Sequence, residues 1–179
     1  MSEIKSTLDL VMEKTRHMNL STEERNEKRA EAVGKALRGL IQKYRDGLLR
    51  KEPFLDAFRG LEDVENHPKG PMLLKEILGQ IQIDDTPDAR RAGLELLEFG
   101  CGRDTVKLAS ILSEFDDEKG KAGADRTREL LEQLVKTHQI SGSAVIPNLD
   151  GDAAFKDMLN RLRNTYTERL DAEKDKLLG

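Results

Sequence analysis

Apolar residues recur along this chain at steps of three and four, and nowhere alternate over a strand's length, so the pattern predicts helices. The clearest run is Ser21 to Arg50, STEERNEKRAEAVGKALRGLIQKYRDGLLR. There Ala30, Val33, Leu37, Leu40, Tyr44 and Leu48 share one face of a long helix. Ser21 with Glu24 forms a capping box at its start, and Glu52-Pro53 closes it. Residues 3–18 carry Ile4, Leu8, Val11 and Met18 on a second stripe, with Met12 beside it. Folded back on the long helix, this stripe would meet TEERNEKR, which has no apolar residue. Its apolar face therefore needs another surface: a distant part of the fold, a second copy, or another protein.

Further along, Phe54, Leu55, Phe58 and Leu61 predict a short helix, and Asn66 to Pro71 predicts a break. Met72 to Ile81 reads as a mostly buried helix with Pro71 in its first turn. In residues 84–100, Thr86 can cap, Pro87 takes the first helical position and Asp88 suits the positive helix end. Ala89, Ala92, Leu96 and Phe99 then line one face, with Gly100 as the stop. A central helix over 104–115 and another from Asp125 to Gln139 are expected to flank a polar loop, Asp116 to Gly123. SGSAVIP, residues 141–147, reads as a linker or wrapped segment. The last helix, 152–175, places Phe155, Leu159, Leu162 and Tyr166 on one stripe, and its length suggests the 21–50 helix as its partner.

These elements predict an all-α, irregular multi-helix bundle. The expected units are an N-terminal amphipathic helix over 1–20, a core over 21–140, a linker over 141–151 and a C-terminal helix over 152–179 packed on the core. Two local resemblances accompany this reading. Pro87-Asp88 and the pair Arg90-Arg91 open an Ala- and Leu-rich helix that resembles the second half of a HEAT-type repeat. That implies a short HEAT-like helical stack as the alternative fold, although such stacks need about three repeats to bury a core. The opening IKSTLDLVMEKTRHMNLSTEE resembles the start of uncharacterised helical bacterial proteins. The likeness spans about 25 residues and implies a bacterial, cytoplasmic origin, with no activity or functional residue to carry over.

Composition narrows the function classes. Across 179 residues, 37% are hydrophobic and 36% charged, enough for one core under a heavily solvated surface. No Trp is present and aromatics are 4%, which argues against a base-stacking platform. A net charge of −4 argues against nucleic acid as the main partner. One Cys leaves no internal disulfide, and MSEIKSTLDL has neither a basic n-region nor an apolar h-region, so a cytoplasmic location is expected.

Candidate chemistry is sparse. No HExxH or Glu-x-x-His occurs, and His17, His67 and His138 fall on separate elements, so no metal or cofactor is expected. Cys101, in Phe99-Gly100-Cys101-Gly102, stands just ahead of a predicted helix, where a thiol's pKa can be lowered. Asn148 to Asp152 fails as a calcium loop, because Ala153 and Leu159 stand where glycine and glutamate are required. A turn followed by an Asp152 cap explains that stretch. Gly120 to Gly123 lacks the Lys-Ser/Thr pair of a phosphate loop.

Charge is uneven: Lys28, Lys35, Arg38 and Arg45 lie opposite the long helix's apolar stripe as a basic ridge. The expected reading is a solvated or intramolecular face balanced by Asp84-Asp85 or Asp116 to Glu118. The function expected from sequence is a non-catalytic, cytoplasmic protein-protein interaction or adaptor protein, contacting a protein partner or a second copy through Ile4, Leu8, Val11 and Met12. The alternative is a nucleic-acid-associated or regulatory protein using the basic ridge.

Overall fold

The computed structural model describes residues 21–139, 142 and 145–179. Six α-helices and no strand occur among them: α1 (Thr22–Arg45), α2 (Lys51–Arg59), α3 (Lys69–Gln80), α4 (Pro87–Cys101), α5 (Val106–His138) and α6 (Ala153–Leu178). A 3-10 turn, Leu149–Gly151, precedes α6, and one isolated bridge joins Val64 and His67. The all-α bundle expected from the apolar spacing is the observed fold.

Local signals set several boundaries. Ser21 Oγ accepts from the Glu24 amide at 3.1 Å, and the Ser21 amide donates to the Glu24 carboxylate at 2.7 Å. Two of the helix's orphan donors are thereby satisfied. The helix ends at Arg45 rather than Arg50, because Gly47 takes a left-handed φ of 71° that the chain uses to turn. Leu48, expected on the apolar stripe, stands past that turn and is 76% exposed, whereas Ile41 is fully buried. Pro53 does not close α1. It sits in the first turn of α2, where its missing N–H costs nothing. Thr86 caps α4 by accepting from the Ala89 amide, and Gly102 ends it with φ 63°, two residues later than the expected stop at Gly100.

The core lies where α1, α3 and α4 meet. Leu37, Ile41, Phe54, Leu73, Ile77, Leu78, Leu96 and Leu97 are almost wholly inaccessible. Tyr44, Phe54 and Phe99 pack edge to face, with ring centroids 5.5–5.9 Å apart. The buried face of α4 is rotated from the expected one: Arg90, Gly93, Leu96 and Leu97 point inward. Arg90 turns because its guanidinium is held by Asp116 at 2.8 and 3.0 Å and by the Leu112 carbonyl at 3.4 Å. Gly93 lies inward because Ile81 occupies the space a Cβ would need, 2.8 Å from its Cγ1.

The largest departure from the sequence expectation is α5. The polar loop expected at Asp116 to Gly123 does not form, and one 33-residue helix runs through it. Each mid-helix glycine costs about 1 kcal/mol against Ala. That cost is offset by packing, since Gly123 lies against Phe155 and Leu149 across the helix pair. Asp125, expected as a cap, is an ordinary mid-helix residue. The chain returns through the Asn148 turn, and Asp152 caps α6 as expected, accepting from the Phe155 amide at 2.7 Å. The main partner of α6 is α5, in antiparallel register, rather than α1.

Candidate interaction surface

The α5–α6 hairpin is the element that leaves the core. On α5, Leu108, Ile111, Leu112 and Phe115 are buried; from residue 116 to 137 none is. On α6 the first buried residues are Tyr166 and Leu170. Residues 116–138, at ~1.5 Å per residue, amount to roughly 34 Å of helix reaching beyond the core. Its apolar residues are only half-buried: Phe155, Leu159 and Leu162 of α6 lie along α5 up to the level of Arg126, and beyond that level Leu130 and Leu134 of α5 lie beside Pro147 and Asn148. Two helices can cover each other on one side only, so the flanks of this seam stay open to water.

Ion pairs set the register of the hairpin. Glu114 meets Arg169 at 2.7 Å, Lys107 meets Glu173 at 3.8 Å, and Phe115 packs on Tyr166 with ring centroids 5.7 Å apart. Near the tip, Arg126 donates to both oxygens of Asp152 at 3.0 and 2.8 Å. The Arg126 guanidinium and the Phe155 amide hold the Asp152 carboxyl below its usual range, and the pair locks the start of α6 against α5. At the base, Arg163 faces Asp84 at 2.7 Å and joins the hairpin to the α3–α4 turn.

One face of the hairpin holds a groove of about 610 Å³. Ala122, Met158, Leu162 and Tyr166 give it apolar walls. Glu118 and Asp125 stand on its α5 rim with Lys121 between them, and Arg161 and Arg169 stand on its α6 rim. Arg169 also stacks on the Tyr166 ring, 4.7 Å from its centroid. Burial, followed by the Glu118 carboxylate, pushes the Tyr166 hydroxyl above its ordinary pKa. A smaller groove of about 470 Å³ lies at the tip between Leu130, Leu134 and Pro147. Another, beside the α1–α2 turn, mixes Arg50, Lys51 and Arg91 with Asp88 and Glu95. There the Tyr44 hydroxyl donates to Glu95 at 2.8 Å, and burial with that neighbour pushes it up to about 12.

The residues singled out from sequence are dispersed. Ile4, Leu8, Val11 and Met12 lie outside the described residues, as does His17. In the basic ridge, Arg38 pairs with Glu76 at 2.6 Å, and Arg45 reaches Asp85 at 3.2 Å and the Gln80 carbonyl. Arg45 keeps only 15% of its side chain exposed, so it is a buttress between α1 and the α3–α4 turn. Lys28 and Lys35 remain exposed. Cys101 is the last residue of α4, at a helix C-terminus rather than ahead of an N-terminus, and burial pushes its thiol up to about 11. That is the opposite of activation. Asn148 to Asp152 form the expected turn and cap, with Asn148 accepting from the Gly151 amide. Among the described residues, no cluster of three metal-ligating side chains occurs and no helix is long and apolar enough to cross a membrane.

Sequence reasoning missed the hairpin as a unit because it cut α5 in two. A signal was present: Leu130, Leu134, Phe155 and Leu159 keep helical spacing with no core element left to cover them. No family model matches the chain, and no curated protein or solved structure matches it.

Proposed function

We propose that this chain is a non-catalytic helical interaction protein, an adaptor whose contacts are made by apolar helix faces outside its core. The observation that carries this reading is the hairpin: roughly 34 Å of α5 reaching beyond the core, about half of it paired with α6, whose apolar residues stay half-buried. The stripe Ile4, Leu8, Val11 and Met12 supplies a second apolar face and remains the proposed contact for a protein partner. The lone Cys and the bacterial look of the N-terminus support placing it in a bacterial cytoplasm. The nucleic-acid alternative gains nothing from a ridge in which Arg38 and Arg45 are held by Glu76 and Asp85. Deletion of residues 1–20 tests the reading: the shortened chain is expected to melt cooperatively yet lose a protein partner that the full chain retains on gentle isolation. A truncation that destroys cooperative melting would place that segment in the core and contradict the proposal.

A further inference from the structure

We propose that the grooved face of the α5–α6 hairpin is a self-association surface, on which a second copy packs its own hairpin to complete a four-helix bundle. This deepens the interaction reading and rests on it. The first support is incomplete burial. Antiparallel helix pairs acquire a closed core when a second pair covers their seam, and here Leu162 stays half-buried and Met158 is 38% exposed.

The second support is charge. Along the groove, Glu118 of α5 and Arg161 of α6 stand at about the same level of the hairpin, with Asp125 nearer the tip and Arg169 nearer the base. Gly123 facing Phe155 and Glu114 facing Arg169 fix that level. A two-fold axis running along the hairpin sets α5 of one copy over α6 of the other. Glu118 of each copy then meets Arg161 of the other, twice by symmetry. Lys121 lowers the acidic rim's net charge to −1, and because Glu114 already holds Arg169 the basic rim's unpaired charge among the described residues is that of Arg161, which leaves the two rims of opposite sign. A rim of uniform sign would repel its own copy. Among the described residues, Arg161 has no carboxylate within ion-pair distance and Asp125 is held only by an exposed pair with Arg128 at 3.3 Å. Such exposed pairs are weak and exchange readily.

Sedimentation equilibrium of the full chain tests this across a wide concentration range. The expected species is a dimer of the 20.2 kDa chain. Arg161→Glu and Glu118→Arg each weaken association by roughly tenfold or more, and the double exchange restores it. Both positions are exposed, and an unchanged helical circular dichroism spectrum confirms that the variants fold. Because the surface lies on the hairpin, removal of residues 1–20 leaves the dimer intact. A dimer indifferent to both reversals but lost on that removal overturns the hairpin proposal while keeping the interaction reading. A monomer at every concentration that still retains a protein partner likewise overturns self-association alone. A chain that neither dimerises nor retains any partner overturns both.

Discussion

Arg90 joins the core to the hairpin, and its replacement makes a stringent test of how the two are connected. The side chain is 8% exposed, while Asp116, which it grips with two hydrogen bonds, is 49% exposed. Asp116 is the first residue of α5 beyond the buried stretch, so the pair fixes where the helix leaves the core. Arg90→Met keeps most of the aliphatic stem in place and removes the charged head. Charge-assisted hydrogen bonds contribute about 1.5–3 kcal/mol each, but the freed Asp116 recovers part of this from water. The net loss should be about 2 kcal/mol, which for a chain of this size lowers Tm by about 4–8 °C. Urea unfolding of Arg90→Met, Asp116→Asn and the double variant closes a cycle, with an expected coupling of about 1–2 kcal/mol. Additive losses, or a single variant as stable as the parent, would refute the idea that this pair anchors the hairpin.

Three further predictions follow from local geometry. Gly120→Ala, with nothing within 4 Å of the new Cβ, should stabilise the chain by about 1 kcal/mol through helix propensity, read by urea unfolding. Gly93→Ala should destabilise it by about 1–2 kcal/mol, because the 2.8 Å approach to Ile81 outweighs the same propensity gain. Both tyrosines have raised pKa values, so alkaline spectrophotometric titration should show little phenolate at pH 10, the ordinary value. The sign is that of a group protonated in the fold: the stabilisation from Tyr44 is full below 10 and is lost as pH rises through about 12. Normal ionisation of two phenols near pH 10 in the folded protein would contradict the packing of Tyr44 and Tyr166.

Much of the helix content was legible from residues that act locally. Ser21, Thr86 and Asp152 each cap as their side chains dictate, and Pro87 opens α4 because its fixed φ and missing donor suit that position. What sequence could not supply was the outcome of competition between local and distant forces. DDEKGKAG carries two glycines and reads as a loop, yet Phe155 and Leu149 arrive from elsewhere in the chain to reward the helix at Gly123. Arg90 reads as a surface residue of an amphipathic helix until Asp116 and the Leu112 carbonyl are in place to receive it. Arg45 shows the same limit: its spacing put it on an outward ridge, and Asp85 with Gln80 turned it into an internal strut. The groove was invisible for the same reason, since Glu118 and Arg161 converge only once α5 runs unbroken.

The central claim is that the hairpin, unlike the core, completes its packing with another molecule. Hydrogen exchange at several protein concentrations tests it most directly. Amides in residues 120–135 and 155–163 should gain protection as concentration rises, while those around Leu73–Leu78 and Leu96–Leu97 stay unchanged and slow throughout. Hairpin amides as slow as the core at the lowest concentration, and indifferent to further addition of protein, would contradict it.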